Sequence, residues 1–173
     1  CYFFYLVILK IFENKIYAYL GVFFLFFSPR IFSESFYNNK DIVFLNVTTV
    51  FIFFSIKFFE KKSYLNAILF GIFSALAFAT RVPATVYIFA AYLMFFLQGM
   101  DDKKFLITNY KFLIASIFTT IIFVYIFWPY LWIDPFNHLF YYLKVVMGVM
   151  PNIQNYYMGE YFYFKDSPWH YNL

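Results

Sequence analysis

Ser28-Pro-Arg-Ile-Phe-Ser-Glu-Ser-Phe-Tyr-Asn-Asn-Lys-Asp41 interrupts a long run of Phe, Leu, Ile and Val and gives way at Ile42 to another apolar run. Two cations, Arg30 and Lys40, two carboxylates, Glu34 and Asp41, and several hydrogen-bonding side chains are packed into it. A polar stretch held between two apolar segments belongs at a water-facing end of both, because hydrocarbon cannot satisfy its groups. It reads as a polar loop and as half of an active site. The composition agrees with a membrane setting. The 173 residues are 64% apolar and 29% aromatic with only 13% charged, far from the soluble average of roughly half apolar and a quarter charged. Mean hydropathy is +0.69.

Outward from that stretch the chain divides into apolar segments and charged turns. Tyr2 to Phe12 is too short to cross about 30 Å of hydrocarbon and reads as the end of a span that began earlier. Ile16 to Ser28 returns across the membrane, Ile42 to Phe59 crosses again, and Leu65 to Thr80 follows with the small residues Gly71, Ser74, Ala75, Ala77 and Ala79 that let helices approach closely in lipid. Val86 to Leu97, a short charged turn from Gly99 to Lys104 and a last crossing from Phe112 to Trp128 complete the pattern. The expected fold is therefore all-α, a polytopic transmembrane bundle over residues 1–128. Residues 129–173, mixed polar and aromatic, form an extracytoplasmic loop region. The chain opens on Cys1 without a charged leader and closes just after a polar stretch, and so is expected to be the middle of a longer protein.

The formal charge of +4 does not indicate nucleic acid, since the lysines are scattered between apolar runs rather than gathered into a patch. Topology accounts for them. With the Glu13 turn inside, the cytoplasmic flanks collect Lys10, Lys15, Lys57, Lys61, Lys62, Lys103, Lys104 and Lys111, leaving Arg30, Lys40, Arg81, Lys144 and Lys165 outside. The same parity sends the 28–41 stretch, Arg81 and the 129–173 segment to one outer face. A single cysteine excludes an internal disulfide and a cysteine metal cluster, and the two histidines, His138 and His170, lack zinc-site spacing. The Phe- and Tyr-rich composition gives single aromatics little individual meaning.

Carboxylates and cations together at a membrane boundary suit a phosphate. Arginine binds phosphate oxygens in a fork, lysine acts as a point charge, and a carboxylate can hold a bridging divalent metal. Arg30, Lys40 and Arg81 are thus candidate phosphate ligands, Glu34 and Asp41 candidate catalytic carboxylates, and Asp41 a candidate ligand for Mg or Mn. Solvated helix-end anchoring is the competing explanation for these charges. In Trp128-Pro-Tyr-Leu-Trp-Ile-Asp-Pro135, the aromatics suit an interfacial belt and Asp134 suits the cap of a helix opened by Pro135. Trp132 and Asp134, with Glu160, Trp169 and His170 further on, are candidates for contacting an acceptor.

Pro29-Arg30, Asn39-Lys40-Asp41, Ala77-Phe-Ala-Thr-Arg81, Trp128-Pro-Tyr-Leu-Trp-Ile-Asp-Pro135, Gly159-Glu160 and Pro168-Trp-His-Tyr171 follow one another in an order that resembles the dolichyl-phosphate-mannose-protein mannosyltransferase family and its bacterial relatives. The resemblance implies a GT-C fold, a polyprenyl-phosphate-linked sugar donor, transfer to a hydroxyl on the extracytoplasmic face, and residence in a membrane, most simply the bacterial inner membrane. It also implies a principal catalytic aspartate in an outer loop ahead of Cys1, with Asp41 at the family's second acidic position. The rival reading is a multi-span transporter or lipid flippase, which would place ionisable or helix-breaking residues near the midplane.

Overall fold

The computed structural model describes residues 1–81, 83–101, 103–146 and 154–163. Seven helices fill the first of two compact units, Cys1–Pro129. They are α1 (Tyr2–Phe12), α2 (Lys15–Phe27), α3 (Pro29–Tyr37), α4 (Asn39–Glu60), α5 (Tyr64–Thr80), α6 (Ala84–Asp101) and α7 (Lys103–Phe127). The order is that of an all-α bundle whose successive long helices reverse direction. Among the described residues, Lys40–Glu60 and Ile107–Phe127 are each long and apolar enough to cross a bilayer, and α2 with α3 passes as a bent third.

Three sequence expectations change. The polar stretch is not a loop: Pro29 occupies the first turn of α3, where its missing N–H costs nothing, and Arg30 with Glu34 and Phe32 with Phe36 fall four apart on a helix surface. The Gly99 to Lys104 turn is also helical on both sides, α6 running to Asp101 and α7 restarting at Lys103, since one Gly in a helix costs only about 1 kcal/mol. Ile16 to Ser28 is no crossing by itself. The 13 residues of α2 span roughly 20 Å, and the axis then turns by 53° into α3.

The core sits where α5 packs against α4 and α7. Ala67, Gly71, Ser74, Ala75 and Ala77 form the buried face of α5. A Cβ on Gly71 would lie 2.7 Å from the Ser116 carbonyl oxygen of α7, so the two backbones touch there. Thr120 of α7 donates to the Gly71 carbonyl at 3.3 Å and lies 3.1 Å from the Tyr92 hydroxyl of α6, so hydroxyl groups tie three helices where lipid offers no partner. Beside this seam a column of rings fills the remaining space. Phe58 stacks on Phe70 at 5.1 Å and on Phe95 at 5.6 Å, and all three are fully buried.

Contacts between helix ends fix the alternation. Lys10 at the end of α1 pairs with Glu60 at the end of α4 at 2.5 Å. Arg81, just beyond α5, pairs with Asp41 in the first turn of α4. Phe78 of α5 meets the Trp128 ring beyond α7 at 5.6 Å, placing that terminus at the Arg81 end. The 22 residues of α4 hold the two ends roughly 33 Å apart.

A second unit, Tyr130–Leu173, contains α8 (Pro135–Val146) and a hairpin of β1 (Gln154–Tyr157) and β2 (Glu160–Tyr163). The hairpin register pairs Tyr157 with Glu160 across Met158 and Gly159, whose φ of 51° and 93° are both positive, as a tight type I′ turn demands. The 129–173 segment therefore carries regular structure as well as loop.

Candidate active site

Asp41 and Arg81 come from different helices and meet at one end of the bundle. Each side chain keeps about two fifths of its surface exposed, 38% and 41%, as suits a boundary rather than the hydrocarbon interior. Asp41 is held from both sides. Its Oδ1 faces the Arg81 guanidinium, and its Oδ2 accepts from the Asn38 side-chain amide. Asn38 caps α4 in turn, its Oδ1 accepting from the Asp41 backbone N–H at 3.3 Å. The cap and the carboxylate brace each other, and Arg81 is anchored by the result.

An open cleft of about 220 Å³ lies beside this pair, lined by Arg30, Ile31 and Glu34 of α3 and by Asp41, Ile42 and Leu45 of α4. The lining follows the same spacing on both helices, a residue with its neighbour and the residue four on, so one face of each is turned to the other. Arg30 and Glu34 thereby share a wall with Asp41. Among the described residues no ion pair or hydrogen bond engages the Glu34 carboxylate or the Arg30 guanidinium. The cleft offers one committed carboxylate, one uncommitted carboxylate and one uncommitted arginine, with Arg81 behind Asp41.

Metal binding is poorly served by this set. Both Asp41 oxygens are engaged, and among the described residues no three of His, Cys, Asp and Glu gather as ligands. Hard divalent ions take six or more oxygens, usually from several carboxylates and carbonyls. Among the described residues the expected Mg or Mn site on Asp41 therefore finds no set of three acidic, histidine or cysteine ligands.

The remaining candidates are distributed as follows. Lys40 is exposed and is not among the residues lining the cleft. In the second unit Asp134 is a helix cap: Oδ1 accepts from the Asn137 N–H at 3.2 Å and Oδ2 from the Asn137 amide at 2.6 Å. These bonds hold the Asp134 carboxyl below its ordinary value. Trp132 is exposed in the same unit, and Glu160 opens β2 in the hairpin. Trp169 and His170 lie outside the described residues.

Two residues escaped the sequence reading. Asn38 belongs to the quoted stretch, and its place three before Asp41 is the spacing of a cap with its bonded partner. Lys62, in the α4–α5 turn, has its ammonium 4.7–5.4 Å from the ring centres of Phe58, Phe59, Phe95 and Phe105 and donates to the Phe59 carbonyl at 3.0 Å. No local motif announces that cage, because its rings come from three helices.

Membrane-spanning helices with a cleft of mixed charge at one end of the bundle define a polytopic membrane protein. The chain belongs to the dolichyl-phosphate-mannose-protein mannosyltransferase family, whose sequence profile matches residues 1–128. That makes it an integral membrane protein of a glycosyltransferase family that uses polyprenyl-phosphate-linked sugars. Searches of curated proteins and of solved structures return no match.

Proposed function

We propose that the protein transfers a sugar from a polyprenyl-phosphate donor to a hydroxyl acceptor, and that the Arg81 end of the bundle is the extracytoplasmic one. The observation carrying the reading is the Asp41–Arg81 pair standing beside a cleft that also presents Arg30 and Glu34. During transfer the bond from the sugar's anomeric carbon to the lipid-phosphate oxygen breaks, and a bond to the acceptor oxygen forms. The leaving phosphate gains charge as the bond lengthens, and preplaced arginines stabilise that charge more than they stabilise the intact donor. Arg30 fits the role directly. Arg81 fits it from a position set by Asp41, with Lys40 adding a point charge from the first turn of α4.

Glu34 is the carboxylate with free oxygens in the cleft and is suited to orient the acceptor hydroxyl. The acceptor's proton passes to a carboxylate acting as general base. In this reading the principal base comes from an outer loop preceding the first helix. Trp132, Asp134, Glu160, Trp169 and His170 are retained as acceptor-side candidates, with Asp134 acting through the shape of α8. No step is routed through a metal.

The deciding experiment incubates the complete protein in membrane vesicles with polyprenyl-phosphate sugars and assays release of the lipid phosphate. Release that depends on acceptor and survives exhaustive chelation is the expected result. No release with any sugar tested would remove the transferase reading, and release abolished by chelation would return a metal to the site.

A further inference from the structure

Lys62 sits in the turn between α4 and α5, and that turn is pinned. Ser63 caps α5 by accepting from the Asn66 N–H at 3.3 Å, and the Asn66 side-chain amide donates to the Lys61 carbonyl at 2.8 Å and to the Lys57 carbonyl at 3.3 Å. From this fixed backbone the Lys62 side chain enters the end of the bundle. Its ammonium lies among the rings of Phe58 and Phe59 of α4, Phe95 of α6 and Phe105 of α7, each ring centre within 4.7–5.4 Å.

Polar company in this cage is sparse. An ammonium carries three N–H donors, and among the described residues the Phe59 carbonyl, at 3.0 Å, is the one acceptor Lys62 meets. No carboxylate pairs with it among those residues, because Glu60, two positions earlier, is taken by Lys10 at 2.5 Å. Ring faces attract a cation but do not replace its water, so the enclosure favours the neutral amine, and burial lowers Lys62 from 10.5 to about 8. At pH 8 about half of the group is then free amine, against roughly 0.3% of a fully solvated lysine. The free amine is the nucleophile, and a lysine desolvated against apolar groups gains it near neutral pH. Lys61 beside it is exposed and has no such cage.

We propose that Lys62 is a modification site, acylated by small acyl phosphates without the help of an enzyme. The Nζ lone pair attacks the acyl carbonyl carbon, the bond from that carbon to the phosphate oxygen breaks, and an amide forms. Inorganic phosphate leaves with the electron pair and takes up the proton shed by the nitrogen. A half-closed cage admits a compact acyl donor more readily than one on a bulky carrier, and the neighbouring cations of the turn, Lys57 and Lys61, attract the donor's negative charge. The product is neutral, so rings from three helices lose the cation they surround. This site stands at the opposite end of α4 from Asp41, roughly 33 Å away, and is independent of the transferase reading.

The test treats the complete, unmodified protein in detergent micelles with acetyl phosphate at pH 8. Acetylation is followed in time by mass spectrometry of chymotryptic peptides, fragmented so that adjacent lysines are told apart. Lys62 is expected to acquire the acetyl group at least tenfold faster than Lys61, and the two to react alike once the protein is unfolded in urea. Lys61 reacting within tenfold of Lys62 in the folded protein overturns the proposal. So does a preference that persists after unfolding, which would trace to local sequence rather than to the cage. The ratio is also expected to shrink between pH 8 and 10.5, where a solvated lysine gains free amine and Lys62 has little left to gain. A ratio that stays constant across that range overturns it equally.

Discussion

At the scale of single residues, the arrangement around Asp41 separates two carboxylates that the sequence presents as equivalents. Asp41 has a partner on each oxygen, Arg81 and Asn38, while Glu34 lines the cleft with no ion pair or hydrogen bond to its carboxylate among the described residues. An ion pair with both partners about two fifths exposed adds little to stability, commonly under about 1 kcal/mol, so its value lies in holding Arg81 at one point. Asp41→Asn and Arg81→Ala in the complete protein are each expected to reduce transfer at least tenfold, about 1.4 kcal/mol of transition-state stabilisation, without loss of membrane insertion. Steady-state transfer, with insertion scored by protease protection, checks both parts. Near-normal turnover in either variant would strike that residue from the mechanism. The sequence disclosed that Arg81 stands at an apolar segment's end, but its partnership with Asp41 depends on two helices reversing between them.

At the scale of elements, α3 shows how a helix can be hidden by its own polarity. Arg30 and Glu34 at a spacing of four, and Phe32 and Phe36 at the same spacing, were present in the quoted stretch. Between Pro29 and Asn38 the polar residues nonetheless read as loop, because nine residues offer too few turns for a periodicity to stand out. The small-residue face of α5 was legible, since Gly71, Ser74, Ala75 and Ala77 recur on one side of an apolar helix. Gly71 and Gly21 give opposite expectations for the same change. A Cβ at Gly71 meets the Ser116 backbone oxygen at 2.7 Å, which only helix displacement can relieve, whereas at Gly21 it meets the mobile end of Ile8. Gly71→Ala should destabilise the bundle by about 1–3 kcal/mol and Gly21→Ala by less than about 1 kcal/mol, read from unfolding in mixed detergent and denaturant. Equal loss in the two variants would contradict the close approach of α5 to α7.

At the scale of the whole molecule, the first unit has unlike ends. One presents Arg30, Glu34, Asp41 and Arg81, and the other is fastened by the Lys10–Glu60 pair and by Lys62 among its four rings. Membrane character and the alternation of ends followed from apolar run lengths and charge placement, but the helix count did not, because the runs give six segments over residues 1–128 and α3 makes a seventh. The aromatic column did not, because a composition with 30 Phe makes any one ring uninformative until packing selects Phe58, Phe70 and Phe95. Lys62 lies outside the spanning segments, and burial pulls its ammonium from 10.5 to about 8, while the ring faces attract the charge and oppose that shift. Between about 8 and 10.5 the unfolded chain holds a proton that the folded protein has released, so stability from this group rises with pH across that window. The melting temperature of the parent protein should therefore climb from pH 8 to 10 relative to Lys62→Met. A flat difference would show that the rings hold the ammonium charged throughout.

The shortness of α2 carries a last consequence. With roughly 20 Å of helix before the bend and about 30 Å of hydrocarbon to cross, α2 alone falls short of a bilayer, so either the bent α3 completes the span or the bilayer thins beside it. Thinning of this kind would lower nearby phosphates toward Arg30. On the transferase reading proposed above, a long-tailed donor would then reach the cleft by sideways diffusion within the leaflet, without first lifting its head group into water.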